Sequence, residues 1–218
     1  MKISIFLLTI QVIFFYILMF FWIYQLFICM FAFKHERKKE KIIDKKHKFM
    51  AVISARNEEK VIANLIKSIK NQTYENIDIY IIADNCSDKT AEIARFYGAN
   101  VYERFDNTKK SKGYALEWFF KKILIEKPDE YDAFCVFDAD NIVSKDFFEK
   151  MNEKLCQGEK IVQGYRDISN VDDSWVSANY AIFYWTMNRC YHYARYKLGL
   201  SPLINGTGFM VSMDILKE

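Results

Sequence analysis

Two carboxylates separated by one small residue, Asp138 and Asp140, directly follow a run of four apolar residues at 134–137. Such a run is typical of a strand that is buried on both faces. Ligands of open α/β sheets bind outside the carboxyl ends of the strands, where paired carboxylates suit a hard divalent cation and the phosphates that it holds. Acidic pairs also end many strands simply as turn residues. The pair alone therefore leaves a metal site and a structural turn open.

Two further polar groups stand where a phosphate-bearing ligand could be held. Asp84 follows the apolar positions of 77–82, so it occupies the carboxyl end of a predicted strand, although it could also begin an Asx turn into the next helix. Lys112 precedes a glycine at the start of a predicted helix, where backbone amides and the helix dipole favour an anion.

A third position follows the first predicted strand, residues 49–55. Arg56 and Glu58 come next, and Asn57 between them is predicted to cap a helix with one apolar face. Strands and helices continue to alternate after this unit, which predicts an α/β, Rossmann-like nucleotide-binding domain with a mostly parallel sheet flanked by helices. Parallel strands end at one edge of a sheet, so these side chains are expected to share that edge.

Residues 3–33 carry no charge, and this run is longer than the roughly 20 residues with which a helix crosses a bilayer. It lacks the small-residue cleavage site of a signal peptide. We therefore predict one retained transmembrane helix over residues 1–33. A buried core helix is the alternative, but a water-soluble domain of this size seldom buries so long an uncharged helix on every face.

The next segment, 34–48, is predicted to be a basic juxtamembrane linker, since it holds eight Lys or Arg against three acids. The positive-inside rule then predicts a single-pass protein of the cell membrane with everything after residue 33 in the cytoplasm. Five scattered cysteines without a C-x-x-C pair suit that reducing compartment. Residues 49–218 have a net charge of −3, which argues against nucleic acid as a partner. The linker could attract anionic lipids or act only as a topology signal.

Residues 174–197 are rich in aromatic side chains but also carry Asn, Arg and His, which makes them a poor membrane span. The segment could lie along the bilayer surface or line an acceptor cleft. Packing into the core is the expectation that we adopt.

Five short motifs resemble those of the family-2 glycosyltransferases in order and spacing, over residues 49–213. They are Ser54-Ala55-Arg56-Asn57-Glu58-Glu59, Ala83-Asp84-Asn85-Cys86-Ser87-Asp88, Ser111-Lys112-Gly113-Tyr114, Asp138-Ala139-Asp140 and Asn205-Gly206-Thr207-Gly208. The resemblance implies a GT-A fold that binds a nucleotide sugar, most often a UDP-sugar, with Mg²⁺ or Mn²⁺.

The same resemblance implies a role for each candidate residue. Arg56 and Glu58 would lie near the nucleoside, and Asp84 would accept a hydrogen bond from the nucleobase. Lys112 would meet the diphosphate. Asp138 would sit by the ribose and the metal-bound phosphate, and Asp140 would be the direct metal ligand.

An inverting transfer also needs a general base, which in this family is usually an Asp some tens of residues beyond the G-T-G-like turn. Asp214 lies too close to Gly208 to match, so the catalytic base is not found, and a Q-x-x-R-W motif is likewise not found. Residues 49–218 are therefore expected to be a GT-A domain that is incomplete at its carboxyl end.

The expected function is a membrane-anchored hexosyl- or N-acetylhexosaminyl-transferase that acts with inversion on a glycan or lipid-linked acceptor, as in polysaccharide biosynthesis. A truncated, inactive nucleotide-sugar-binding membrane protein or subunit is the main alternative. A nucleotidyltransferase is a lesser alternative, because residues 54–59 contain no glycine, whereas such enzymes generally carry a glycine-rich loop after the first strand.

Overall fold

The computed structural model describes residues 2–33 and 45–217, so most of the predicted linker 34–48 lies outside the described residues. The chain divides into two compact units. We call Met1–Lys38 with Tyr165–Leu203 the helical unit, and Lys39–Gly164 with Ile204–Glu218 the sheet unit. Residues 165–203 therefore group with the amino-terminal segment rather than with the rest of 49–218. The domain limits drawn from the sequence remain predictions.

The sheet unit contains a six-stranded sheet with the spatial order β3-β2-β1-β4-β6-β5. The strands are β1 Phe49–Ala55, β2 Ile77–Asp84, β3 Asn100–Arg104, β4 Ala133–Asp138, β5 Ile161–Gln163 and β6 Phe209–Ser212. β1 to β4 run parallel, and β6 is antiparallel to both of its neighbours. The predicted α/β fold with a mostly parallel sheet is confirmed, with one reversed strand.

Helices cover both faces of this sheet. They are α2 Ile62–Lys70, α3 Thr90–Phe96, α4 Lys112–Glu126, α5 Phe147–Cys156 and α8 Met213–Lys217. Along β1, Phe49, Ala51 and Ile53 pack on the side of α2 and α5, whereas Met50 and Val52 pack on the side of α4. Successive side chains of a strand point to opposite faces, so a strand covered on both sides needs an uninterrupted apolar run.

The predicted helix cap at Asn57 is wrong. α2 begins only at Ile62, after Val61, which makes no side-chain capping bond. Asn57 instead has a left-handed backbone with φ 55°, and its side-chain oxygen accepts a 2.8 Å hydrogen bond from the Ser87 amide. The side chain joins the loops that follow β1 and β2, which the spacing of apolar residues does not reveal.

The helical unit contains α1 Lys2–Met30, a short 3-10 turn Phe31–Phe33, α6 Trp175–Thr186, a π-helical stretch Met187–Tyr193 and α7 Ala194–Lys197. Residues 5–33 are long and apolar enough to cross a membrane. The aromatic segment does not form a core as expected, because Trp175 is 78% exposed and Tyr180 and Phe183 are more than half exposed. Only small or polar side chains of α6 and the π-helical stretch, such as Ala181 and Asn188, are buried.

Candidate functional site

The carboxyl ends of β1 to β4 bring most of the predicted site residues to one edge of the sheet. Asp84 is paired with Arg104 across β2 and β3, and Ser54 is paired with Asp138 across β1 and β4. Arg56 follows the last residue of β1. The strand order therefore sets Arg104, Asp84, Arg56 and Asp138 along this edge in that sequence.

Asp84 and two arginines form the first group of contacts, the Asp84 cluster. The Asp84 side chain is only 3% exposed, and its Oδ1 accepts a 2.7 Å hydrogen bond from Nη1 of Arg104. Its Oδ2 forms an ion pair with Nη2 of Arg56, whose Nε also donates to the Asp84 carbonyl at 3.1 Å. Two guanidinium groups therefore hold one buried carboxylate.

Arg104 was missed by the sequence analysis, and it joins the Asp84 cluster to the loop before α4. Its Nη2 donates to Oδ2 of Asp106 at 2.8 Å and to the Lys109 carbonyl at 3.0 Å. Hydrogen bonds from the hydroxyl and amide of Thr108 lower the pKa of Asp106 to about 2. Asp106 is thus a carboxylate at neutral pH, and the cluster balances two cations with two anions. Arg104 could have been suspected only from its position at the end of a strand beside β2.

Asn85 completes this corner of the sheet edge. Its φ of 53° lies in the left-handed region, which Asn tolerates better than most residues. In this conformation its Nδ2 donates to Oδ1 of Asp84 at 2.9 Å, and its Oδ1 accepts from the Asp106 amide, also at 2.9 Å. Backbone conformations of this kind cluster at functional sites, where the surrounding contacts hold them.

Asp138 and Lys112 form the second group, the Asp138 cluster. Nζ of Lys112, at the start of α4, forms an ion pair with Oδ1 of Asp138 and donates a 2.7 Å hydrogen bond to the Gly206 carbonyl. Asp140 lies two residues further on and is exposed. Its Oδ1 accepts a 3.1 Å hydrogen bond from the Asn141 side chain.

Thr207 fixes the turn that carries these carboxylates. Its side chain is buried, its Oγ1 accepts a 2.9 Å hydrogen bond from the Asp138 amide, and it also bonds to Oδ1 of Asn141. The next residue, Gly208, has φ 63° and donates from its amide to the Val136 carbonyl at 2.7 Å. The turn therefore starts β6 at the same edge and sends it back antiparallel. The Asn205–Gly208 motif is recognisable in the sequence, but the contact between Thr207 and Asp138 is not.

Asp138 and Asp140 fit a divalent cation as a pair rather than as a full protein cage. The described residues contain no group of three or more His, Cys, Asp or Glu side chains that could hold a metal. Mg²⁺ commonly keeps several waters and binds one or two carboxylates together with substrate phosphates. Asp138 and Asp140 would supply the carboxylates of such a donor set, whereas Lys112, a cation at a helix start, would meet the phosphates and not the metal.

Two remaining acidic residues lie elsewhere. Glu58 contributes main-chain contacts, since its amide donates to Oγ1 of Thr90 at 2.8 Å, and in the described part of the chain its carboxylate belongs to neither cluster. Asp214 follows β6, whose Ser212 is paired with the first residue of β4, Ala133. Asp214 therefore lies toward the amino end of β4, away from Asp138.

An open sheet of this order, with charged groups gathered at the carboxyl edge and one reversed strand, is the GT-A fold of glycosyltransferases. The family model described as "Glycosyl transferase family 2" matches residues 50–218. The chain belongs to glycosyl transferase family 2, as the motifs predicted.

Relatives and solved structures agree with this assignment. A 4,4'-diaponeurosporenoate glycosyltransferase of Staphylococcus aureus is 32% identical over 133 residues, which are 58% of this chain and 34% of the relative. The chain thus matches about a third of the length of that relative. A mannosyltransferase of Pyrobaculum calidifontis, solved with GDP-Man and Mn²⁺, has a TM-score of 0.65 at 12% identity, covering 89% of this chain and 52% of its own.

A further structural neighbour is the glucosyl-3-phosphoglycerate synthase of Mycobacterium tuberculosis, solved with UDP. Its TM-score is 0.52 at 19% identity, covering 84% of this chain and 64% of the synthase. At these identities the likeness of the two solved structures establishes the fold.

Proposed function

We propose that this chain is the donor-binding part of a membrane-anchored glycosyltransferase that binds a UDP-sugar with Mg²⁺ or Mn²⁺ and acts with inversion on a glycan or lipid-linked acceptor. The observation that carries the proposal is the placing of two chemically different clusters on one sheet edge. The Asp84 cluster is suited to a nucleoside, and the Asp138 cluster is suited to a diphosphate and its cation.

The proposed nucleoside site depends on the number of hydrogen bonds that the Asp84 carboxylate can accept. A carboxylate has about four lone-pair positions, and Arg104, Arg56 and Asn85 fill three of them. Within residues 2–33 and 45–217, this leaves one position on Oδ2 for a ring N–H such as that of uracil. Because Arg56 is 40% exposed, its guanidinium is the member of the cluster that a bound nucleoside would touch. Glu58 is proposed to line this side through its main chain.

The proposed diphosphate site depends on positive charge near the leaving group. When the glycosidic bond breaks, negative charge develops on the departing diphosphate, and preorganised positive groups stabilise that charge. Lys112 supplies one such group at the amino terminus of α4, where the helix dipole acts in the same direction. A cation held by Asp140 and Asp138 would supply Lewis-acid stabilisation of the same leaving group.

The membrane part of the proposal rests on α1. Its side chains from Ile5 to Tyr24 are all exposed, and a helix of such composition is stable in a bilayer. The charge asymmetry of the sequence around it favours a cytoplasmic sheet unit, in the same compartment as nucleotide sugars.

The proposal is tested by UDP binding to the full chain in lipid nanodiscs, with Mn²⁺ and with EDTA. Asp140→Ala is expected to remove the Mn²⁺-dependent gain in UDP affinity, whereas Asp172→Ala, which removes an exposed carboxylate in the helical unit, should leave it unchanged. An unchanged Mn²⁺-dependent gain in Asp140→Ala would show that the metal site is assigned wrongly.

Catalysis is tested separately with radiolabelled UDP-sugars and isolated membranes. Transfer to a membrane component, or hydrolysis of one UDP-sugar by this chain, would support the enzyme. Tight UDP-sugar binding with no turnover of any donor would instead support a nucleotide-sugar-binding subunit. Comparing GDP-mannose with the UDP-sugars tests the choice of base.

A further inference from the structure

α6 presents an apolar surface that the protein itself does not cover within the described residues. Val176, Tyr180 and Phe183 follow one another at helical spacing, and Trp175 and Ile182 flank them, all with exposed side chains. We call these five residues the α6 stripe. α6 contains no charged residue along its whole length. Asn179 lies among these side chains and is also exposed, but its Nδ2 donates a 2.8 Å hydrogen bond to the Trp175 carbonyl within the helix. Exposed and largely apolar surface of this kind marks an interaction site.

The segment that carries the α6 stripe is attached to one end of α1. Ile28 and Ala32 pack against Ala194 of α7 in a small buried cluster that Leu198 completes. Gln25 adds a 3.2 Å hydrogen bond from its side-chain amide to the Cys190 carbonyl. These contacts involve the end of α1 from Gln25 onward and the 3-10 turn that follows it.

The uncovered part of α1 is long enough to cross a bilayer. Side chains are exposed continuously from Ile5 to Tyr24, which is 20 residues. At about 1.5 Å per residue this span is about 30 Å long, the thickness of a typical hydrocarbon core. If α1 spans a membrane, the segment packed against its carboxyl-terminal end is held near the surface of the bilayer.

The charges around α6 fit the same location. Residues 174–203 contain the cations Arg189, Arg195 and Lys197 and no Asp or Glu, so the acidic residues Asp167, Asp172 and Asp173 all precede α6. The Arg189 guanidinium and the Lys197 ammonium each lie 4.9 Å from the ring centroid of Tyr193. Aromatic rings beside Arg and Lys are characteristic of membrane–water interfaces, where the cations reach anionic headgroups.

We propose that the α6 stripe is a membrane-docking surface that inserts into the headgroup–acyl boundary of the leaflet from which α1 emerges, with anionic phospholipid as its partner. The inference rests on the membrane anchoring proposed above. A helix in this position buries its apolar face about 5–10 Å below the headgroups, so it lies on the membrane rather than across it. α6, with 12 residues, is too short to span.

The four tryptophans of the chain allow a direct test in the full protein. Trp22 lies in α1, Trp175 and Trp185 lie in α6, and Trp118 lies in α4 of the sheet unit. The variant Trp22→Phe/Trp118→Phe leaves only the two reporters in α6. It is reconstituted into vesicles of phosphatidylcholine and phosphatidylglycerol in which part of the phosphatidylcholine is brominated near the headgroup or deep in the acyl chains.

Bromines near the headgroup are expected to quench the fluorescence of the α6 tryptophans more than bromines deep in the acyl chains do. Acrylamide, which is dissolved in water, should quench this fluorescence less in vesicles than in the unfolded protein without detergent. A variant that keeps only Trp22 serves as the anchor control, and one that keeps only Trp118 reports on a half-buried side chain for which no lipid contact is proposed.

The pattern of quenching separates the possible failures. Quenching of Trp22 without quenching of α6 would overturn the docking surface while leaving the anchor intact. Absence of lipid quenching at both sites would overturn the membrane anchoring itself. Protection of α6 from acrylamide without lipid quenching would show that a second copy or another protein covers the stripe, which also overturns the inference. Replacing Val176 and Phe183 by Ser should reduce the shallow-bromine quenching, whereas Phe96→Ser, at an 83% exposed site in the sheet unit, should not.

Discussion

Nη1 of Arg104, at the end of β3, donates a 2.7 Å hydrogen bond to Oδ1 of Asp84, at the end of β2, and both side chains are almost entirely buried. Neither charge is stable alone at this depth, because burying an unpaired charge costs far more than burying a paired one. Arg104 therefore fixes the direction of the carboxylate that the proposed nucleoside site uses. It is a positioning residue in that proposal.

Arg104→Met is expected to lower the stability of the sheet unit by about 3–5 kcal/mol, the usual cost of removing one partner of a buried ion pair. Hydrogen exchange of the β2 and β3 amides in the full chain measures this change locally. UDP affinity should fall as well, since Asp84 loses a donor that holds it in place.

Arg95→Met is the matched control for this substitution. Arg95 forms an ion pair with Glu103, next to Arg104 in the sequence, but both partners are more than a third exposed. Exposed pairs contribute about 0–1 kcal/mol, so little change in exchange is expected. Equal effects of the two substitutions would contradict the special role of Arg104.

Lys112→Met tests the diphosphate end of the site. Hydrogen bonds to charged groups contribute about 1.5–3 kcal/mol, so UDP should bind at least about tenfold more weakly. Uridine, which has no phosphate, should bind as before. Titrations of the full chain in nanodiscs with the two ligands measure the difference.

The control for this prediction is Lys110→Met, which removes an exposed lysine from the loop before α4. It should change UDP binding far less than Lys112→Met does. A parallel loss of uridine affinity in Lys112→Met would indicate damage to the whole site rather than a lost phosphate contact.

The sheet edge was predictable from the sequence, whereas its internal contacts were not. Asp84 and Asp138 end long apolar runs, so the parallel arrangement alone brought them to one edge. The partners Arg104 and Thr207 depend on strand register and on a left-handed turn, which apolar periodicity does not encode. Asn57 was misassigned for the same reason, because Asn favours both helix caps and left-handed loops.

The aromatic segment shows a different limit of sequence reasoning. Apolar composition indicates that a surface is covered, but it does not indicate whether protein or another partner covers it. We expected residues 174–197 to pack into the core, but the large side chains of α6 are exposed in the described structure. The exposed stretch of α1 and the cations beside Tyr193 are what point to lipid.

Asp132 gives the sheet unit a predictable dependence on pH. Burial acts to raise the pKa of Asp132, but hydrogen bonds from Lys45 and the Lys48 amide, together with the His47 ring 3.3 Å away, outweigh burial and hold that pKa below its ordinary value. A carboxylate whose pKa is lower in the folded state stabilises the fold above its unfolded pKa of about 3.9. This contribution is lost as the pH falls through the folded-state value.

Asp132→Asn should therefore lower the thermal midpoint of the detergent-solubilised chain at pH 7, and the difference from the parent protein should shrink as the pH falls below about 4. Glu75→Gln, which changes an exposed carboxylate of the same unit, should show a much smaller difference at either pH. If the difference in thermal midpoint between Asp132→Asn and the parent protein stayed constant from pH 7 to below about pH 4, the pKa of Asp132 would not be linked to folding.

Thr207→Val tests whether the Asn205–Gly208 turn positions the proposed metal ligands. The substitution keeps the shape of the side chain but removes the nearer acceptor of the Asp138 amide, which then keeps only its 3.3 Å hydrogen bond to Oδ1 of Asn141. Losing one such hydrogen bond costs about 0.5–1.5 kcal/mol. The turn that carries Asp138 and Asp140 should loosen, so that severalfold more Mn²⁺ is needed for half-maximal UDP binding. Thr207→Ser retains the hydroxyl and should restore the Mn²⁺ requirement. Uridine is proposed to bind at the Asp84 cluster, so its affinity should remain constant in both variants. A loss of uridine binding in Thr207→Val would show a general structural defect instead.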